Sequence, residues 1–213
     1  MGVLSKHEIK ARLRIGVDDP RGLVVTPIPA DGDWSDDSLN LRLGEHFLLP
    51  QSPPPPFIAL DRSFSEIGHV RVHVPWSRYL VVPPHNTVLG STREFIKLPL
   101  NVSGQILTRS SVARTFVVIE TAPWIHPGYR GCLTLEIANV SNTPVLLHPG
   151  TPIGQLILLS VDGVDLGSPP YPKLSGSYIG PTFPEAPNFK PLEEQLGVIG
   201  IVKPDVPSLK KLK

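Results

Sequence analysis

Proline is the sequence feature that most limits how this chain can fold. Of its 213 residues, 26 are proline, a share of about 12% against an ordinary share of roughly 5%. A proline inside a helix removes a hydrogen bond and clashes with the preceding turn, so this density argues against an all-helical protein. It favours short strands joined by turns. Because 40% of the residues are hydrophobic, the chain can still bury a core.

Short apolar segments, separated by turn residues, support a β fold. Leu39, Leu41 and Leu43 alternate with polar residues in a predicted strand over residues 38–49, and residues 70–74 alternate in the same way. Further strand candidates lie at residues 24–28, 79–82, 88–96, 102–107, 117–121, 132–138, 145–148 and 153–161. Many short strands at this spacing predict an all-β barrel or sandwich. The best helix candidate is residues 4–13, where Ser5 and Glu8 have the spacing of a capping box.

The prolines also suggest how the chain is divided. Five of them fall between residues 50 and 56 and predict a stiff extended connector, for which a spacer is the preferred interpretation. Nine more lie after residue 162, where periodicity fades and only residues 192–196 suggest a short helix. We therefore predict a barrel with its N-terminal helix over residues 1–161 and an extended, proline-rich C-terminal tail over residues 162–213.

Charge and cysteine content exclude several classes of protein. The formal net charge is only +1, so nothing indicates a nucleic-acid partner, although a compact anionic ligand remains compatible. Cys132 is the only cysteine, which excludes an intrachain disulfide and a zinc site with two or more thiolates. No apolar stretch reaches about 18 residues and the first residues do not resemble a signal peptide. We expect a cytoplasmic protein without a membrane segment.

Polar residues that suit an anionic ligand follow the strand predicted over residues 102–107. Two arginines and two serines occur within six residues, from Arg109 to Arg114. If a short helix begins at the serines, its free backbone N–H groups and the hydroxyls can bind phosphate, and the guanidinium groups can add bidentate contacts. A capped surface helix accounts for the same residues equally well.

Two more stretches contain candidate functional residues. Pro127 and Gly128 predict a turn with Tyr129 and Arg130 at its exit, and a plain hairpin turn is the alternative. Downstream, Glu136 lies within an otherwise apolar strand. A carboxylate buried in such a strand is a candidate general base and acid. The alternative is a glutamate on the solvent side of an edge strand.

The order and spacing of these stretches resemble the dCTP deaminases of the trimeric dUTPase superfamily. Residues 109–114 are similar to the phosphate-binding signature of that family, residues 125–131 to its sugar-site turn and residues 133–136 to its catalytic strand. Supporting matches occur at residues 4–9, 38–44, 89–94, 98–99 and 149–156. The resemblance covers roughly residues 3–160.

The resemblance implies a distorted β-barrel of the dUTPase type and a homotrimer with active sites between subunits. Its members replace the 4-amino group of cytosine with oxygen and use no metal on the base. This chain likewise lacks the His-x-Glu and Pro-Cys-x-x-Cys ligands of the zinc deaminases. Mg²⁺ would accompany the triphosphate of a pyrimidine deoxynucleotide.

The resemblance also assigns residues to roles. Glu136 would activate the attacking water, while Ser110 and Arg114 would help hold that water and the developing charge. Phosphates would bind Arg109, Ser110 and Ser111, Thr134 and Leu135 would present backbone groups to the base, and Tyr171 would close over the nucleotide. The substrate-binding residues implied in this way are Arg109, Ser111, His126, Thr134, Leu135, Gln155 and Tyr171.

Four departures from the family pattern leave other functions open. His126 and Asn40 replace aspartates, Thr108 replaces a glycine, and the lysine expected before Tyr178 is a serine. The simplest expectation is deamination of dCTP to dUTP, with a modified or different pyrimidine nucleotide as a possible substrate. The alternatives are a nucleotide pyrophosphatase or bifunctional dCTP-to-dUMP enzyme, and a catalytically silent nucleotide-binding regulatory protein on the same trimeric scaffold.

Overall fold

The computed structural model describes residues 2–53, 68–164 and 180–187. Helix α1, Lys6–Leu13, begins after Ser5, whose hydroxyl accepts a hydrogen bond from the Glu8 amide at 3.4 Å. The Glu8 carboxylate accepts in turn from the Ser5 amide at 2.9 Å. The predicted capping box is therefore confirmed, and Ile9 anchors the helix in the core. The second helix, α2, is the single turn Ser110–Ala113.

The strands lie within two residues of their predicted ends. They are β1 Val24–Thr26, β2 Ser38–Pro50, β3 His69–His73, β4 Leu80–Val82, β5 Thr87–Lys97, β6 Val102–Thr108, β7 Val117–Ile119, β8 Trp124–Ile125, β9 Arg130–Asn139, β10 Val145–Leu147 and β11 Pro152–Ser160. Only β8 was not predicted, because a strand of two residues has no periodicity to detect.

Every pairing among the described strands is antiparallel. The main sheet has the order β7-β9-β5-β2-β11-β6-β8, with β1 also paired to β5 and β3 to β2, and β4 pairs with β10 in a second sheet. The main sheet curls, so that β7 meets the end of β6: the Ile119 amide donates to the Thr108 hydroxyl at 2.8 Å. The predicted all-β, distorted barrel is confirmed.

Alternation along the strands separates a core from an outer face. Leu39, Leu41 and Leu43 of β2 are buried, as are Leu135 and Ile137 of β9. Because successive strand residues point to opposite sides, Thr134 and Glu136 point away from that core. Thr134 and Glu136 thus lie on the side of β9 opposite the core residues, as the alternation in the sequence predicts.

Residues 180–186, which we call the C-terminal segment, pack against β9. The Gly180 amide donates to the Arg130 carbonyl at 2.8 Å, and the Cys132 amide donates to the Pro181 carbonyl at 2.7 Å. All described residues except Pro53 and Pro187 belong to one compact unit. The predicted boundary at residue 161 stays a prediction, and most of the predicted tail, including residues 192–196, lies outside the described residues, as do residues 54–56 of the connector.

The helices offer no membrane span. In the described ranges, neither α1 nor α2 nor any other helix is long and apolar enough to cross a bilayer.

Candidate active site

Glu136 lies on an interior strand. β9 pairs with β7 on one side and with β5 on the other, so the alternative of an edge strand is wrong. The Glu136 amide donates to the Thr121 hydroxyl at 2.9 Å, and its carbonyl accepts from the Glu120 amide at 2.8 Å. Its Oε2 atom is sealed from solvent and has no hydrogen-bond partner in the described part of the chain. These contacts fix the backbone while leaving the carboxylate unpaired.

The register of the sheet shows what shares the outer face with Glu136. Leu89 of β5 lies opposite Glu136, and Leu48 of β2 lies opposite Leu89. Two residues further along β5, Ser91 lies opposite Thr134. The outer face therefore carries Thr134 and Glu136 on β9 and continues through β5 to β2 and β3.

The C-terminal segment lies against this outer face. The Glu185 amide donates to the Thr134 hydroxyl at 3.1 Å. Phe183 meets the His46 ring edge-on at a centroid distance of 4.5 Å, and Phe183 and Pro184 line a cavity of about 180 Å³ over β2 and β3. The segment thus extends from β9 toward β3, across the side of the sheet that carries Glu136.

Glu185 is a functional candidate that the sequence did not reveal. Its Oε2 atom, like that of Glu136, is buried without a hydrogen-bond partner among the described residues. Burial raises the pKa of this carboxyl above its ordinary value. Glu185 lies in a stretch without periodicity, which we predicted to be tail, so no local signal pointed to it.

A short helix, α2, does begin at the serines, which is the condition set above for phosphate binding. Arg109 precedes α2, and Ser110 and Ser111 occupy its first two positions, both exposed. Their backbone N–H groups donate no hydrogen bond within the part of the chain that the structure describes. Arg109 is tied to β11, since its amide donates to the Ile153 carbonyl at 3.1 Å and its Nη1 to the Pro152 carbonyl at 3.3 Å. Arg114 follows the helix and is exposed.

Beside this turn lies a cavity of about 280 Å³. Arg109, Ser111 and His148 are among the residues that line it. The turn therefore presents free amides, hydroxyls and guanidinium groups beside an open cavity, which is the donor set that an anionic ligand requires.

The turn at His126 joins two strands that are not paired with each other. β8, before the turn, pairs with β6, whereas β9, after it, pairs with β5 and β7. The alternative of a plain hairpin turn is therefore wrong. The His126 carbonyl accepts from the Tyr129 amide at 3.2 Å, with Gly128 at a φ of 76°. Tyr129 is buried and donates its hydroxyl to the Cys132 carbonyl at 2.9 Å, which makes it a packing residue.

The remaining predicted residues are spread over the fold. Leu135 is fully buried in the core beside Thr134 and Glu136. Gln155 lies on β11, which β2 and β5 separate from β9, and its Nε2 donates to the Ser38 hydroxyl at 2.7 Å. Tyr171 lies outside the described residues. The single chain thus brings Thr134 and Glu136 together but not Gln155.

Two groups of candidate residues result: the outer face around Glu136 and the α2 turn around Arg109 to Arg114. No hydrogen bond or ion pair joins Glu136 to Ser110 or Arg114 within the described ranges. Across those same ranges, no three His, Cys, Asp or Glu side chains cluster closely enough to hold a metal ion.

The fold matches that of a solved structure. The chain aligns with the crystal structure of 2′-deoxycytidine 5′-triphosphate deaminase from Agrobacterium tumefaciens at a TM-score of 0.55 and 22% identity, covering 74% of this chain and 47% of that one. The chain thus spans about half the length of the solved protein, and the likeness establishes the fold alone.

The sequence shows the family. The profile of the family described as dCTP deaminase-like matches residues 3–161, and this chain belongs to that family. A dCTP deaminase of Halorubrum lacusprofundi is 35% identical over 78% of this chain and 84% of its own length. A Nanoarchaeum equitans protein named dCTP deaminase, dUMP-forming, is 41% identical over 76% of this chain and 86% of its own length. The predicted resemblance is confirmed.

Proposed function

We propose that this protein deaminates a cytosine deoxynucleotide, most simply converting dCTP and water to dUTP and ammonia. Membership of the dCTP deaminase-like family supports the reaction class, as do relatives named dCTP deaminase. The observation that carries the proposal is the Glu136 carboxylate, held on an interior strand with one oxygen buried and unpaired. A carboxylate with a free acceptor position suits proton transfer to and from a reacting base.

Glu136 is the proposed general base and acid. It would take a proton from water as the oxygen bonds to C4 of the cytosine ring. It would then return a proton to the amino group, so that the C4–N bond breaks and ammonia leaves. The hydrogen bonds of the Glu136 backbone to Glu120 and Thr121 hold the strand in place during both transfers.

The α2 turn is the proposed phosphate and charge-binding element. Arg109, Ser110 and Ser111 would bind the triphosphate, with the Arg109 guanidinium group and the unpaired amides and hydroxyls of the two serines as donors. Ser110 and Arg114 would also stabilise the water and the charge that develops on the base. Mg²⁺ would accompany the triphosphate, as it often does in nucleotide enzymes.

We propose that the two groups of candidate residues complete each other across subunits. Within one chain, Glu136 and Arg114 are not in contact through hydrogen bonds or ion pairs in the described ranges. A homotrimer would place the α2 turn of one subunit beside the outer face of the next. The remaining substrate contacts would come from His126, Thr134, Leu135, Gln155 and Tyr171.

Incubation with dCTP and Mg²⁺, followed by chromatography and an ammonia assay, tests the proposal. We expect dUTP and ammonia in equal amounts. Glu136→Gln should still bind dCTP but lose turnover by about 10²-fold or more, because a general base is removed. Glu120→Gln removes an exposed carboxylate directly after β7 and should keep activity. Turnover by Glu136→Gln at the wild-type rate would remove Glu136 from this role.

A second reaction is favoured by the names of the relatives. The Nanoarchaeum equitans protein and one from Methanosphaera stadtmanae, 28% identical over 89% of this chain, are both named dUMP-forming. The same assay distinguishes this reaction, because it yields dUMP and pyrophosphate. His126, where related dUTPases have the aspartate that orients water, argues for dUTP as the product. Thermal stabilisation by nucleotide without product would instead indicate a binding protein.

A further inference from the structure

Glu185 is a partly buried glutamate associated with the same face of the sheet as Glu136, which is also partly buried. The Glu185 amide is bound to the Thr134 hydroxyl at 3.1 Å. Thr134 and Glu136 are two residues apart on β9 and point to the same side, about 7 Å from each other. Both glutamates keep one oxygen sealed from solvent without a donor among the described residues. The C-terminal segment thus brings a second acceptor to the Glu136 side of the sheet.

A buried carboxylate oxygen without a donor is costly. Leaving such a group unsatisfied costs more than the small net gain of an ordinary hydrogen bond. Burial raises the pKa of Glu185. Among the described residues no ion pair balances this carboxylate, so a ligand that supplies an N–H donor would satisfy it.

We propose that Glu185 is a specificity-determining residue that accepts a hydrogen bond from the exocyclic amino group of a cytosine nucleotide. The inference rests on the proposed function, because it takes the outer face beside Glu136 as the base-binding surface. An ionised carboxylate can only accept hydrogen bonds. It therefore favours the amino group of the substrate and disfavours the carbonyl oxygen that replaces it in the product.

A preference for the amino group over the carbonyl group would favour release of the product. A site built to bind a donor group rejects an analogue that lacks it, because the buried acceptor is then left unpaired. The Glu185 carboxylate would thus hold the amino nucleotide before reaction and weaken binding of the uracil nucleotide afterwards. The link between the Glu185 amide and Thr134 positions the side chain independently of its charge.

The ratio of the Kd for dUTP to the Kd for dCTP tests this inference. Both constants are measured by calorimetry at pH 8 in a Glu136→Gln background, so that dCTP is not consumed. Glu185→Ala should lower the ratio about tenfold or more, since one hydrogen bond to a charged group is lost. Glu185→Gln should lower it as well, because its amide can donate to the carbonyl of uracil.

Controls separate specificity from a loss of folding. Hydrogen exchange at the Cys132 amide, which binds Pro181, shows whether the C-terminal segment stays docked in the Glu185→Gln variant. Glu120→Gln, which removes an exposed carboxylate directly after β7, should leave the ratio within about twofold. If Cys132 stays protected and Glu185→Gln leaves the ratio unchanged, the inference is wrong.

The outcomes also distinguish this inference from the proposed function. Wild-type turnover of dCTP together with an unchanged ratio in both Glu185 variants would overturn the role of Glu185 alone. Failure to bind either nucleotide would overturn both the role of Glu185 and the proposed function. A ratio that falls in Glu185→Ala and Glu185→Gln but not in Glu120→Gln would support the role of Glu185.

Discussion

Replacing Gly131 with alanine should detach the C-terminal segment from β9. Gly131 has a φ of 144°, which side chains rarely tolerate, and it lies directly beneath Pro181. A Cβ added at Gly131 would lie 2.9 Å from Pro181 Cγ and 3.0 Å from its nitrogen, with Cδ closer still. Ordinary contacts between carbon atoms are about 3.5–4.0 Å, so Pro181 must move away.

The cost follows from the contacts on either side of Gly131. Moving Pro181 disrupts the hydrogen bonds that join Gly180 to Arg130 and Cys132 to Pro181. At about 0.5–1.5 kcal/mol each, their loss removes roughly 1–3 kcal/mol. Forcing alanine into this backbone conformation costs a further 1–3 kcal/mol or so. We expect Gly131→Ala to lower the free energy of unfolding by about 2 kcal/mol or more, even if the barrel itself is intact.

Hydrogen exchange and chemical denaturation measure the two effects separately. The Cys132 amide should exchange much faster in Gly131→Ala, because its acceptor belongs to the displaced segment. Gly16→Ala is the matched control, since a Cβ there meets nothing within 4 Å, and its stability should change by less than about 0.5 kcal/mol. Unchanged protection of Cys132 in Gly131→Ala would refute the predicted displacement.

Two further predictions concern the barrel itself. Thr108→Val should lower the free energy of unfolding, measured by urea denaturation, by about 1–3 kcal/mol, because the Ile119 amide loses its acceptor where β6 meets β7. Thr108→Ser keeps the hydroxyl and should retain most of that free energy. Equal losses in both variants would contradict the role of the hydroxyl. Burial, and after it the charge of Glu94, raises the pKa of the Cys132 thiol to about 11. At pH 8 only about one thiol in a thousand should therefore be ionised. Labelling of Cys132 by a thiol reagent should be slow in the native protein and fast in denaturant, and equally fast labelling in both states would contradict its burial.

Local patterns in the sequence were sufficient for the elements and for part of the site. The capping box of Ser5 and Glu8 and the alternation from Leu39 to Leu43 depend on neighbouring residues only. The same alternation correctly placed Thr134 and Glu136 on one side of β9. A short helix does begin at Ser110, which the sequence indicated only as a condition for phosphate binding.

Partners that are distant in sequence could not be predicted in this way. Nothing near Glu136 shows whether its strand lies at an edge or between β7 and β5. The separation of β8 from β9 across the His126 turn, and of Gln155 from Glu136, follows from strand order alone. Periodicity assigns a residue to a face, but it does not identify the neighbouring strand.

The sequence by itself determined that this chain is a proline-rich β protein of the dCTP deaminase-like family, with Glu136 on the outward side of its strand. These features are encoded in short-range spacing and in motifs that the chain keeps apart from a few positions such as His126 and Thr108. Only the tertiary structure decided that Pro181 packs against Gly131. It also decided that the Glu185 amide binds the Thr134 hydroxyl, on the same side of the sheet as Glu136. The physical reason is that hydrogen bonds between residues 50 positions apart leave no local periodicity, so they appear only when the folded chain brings them together.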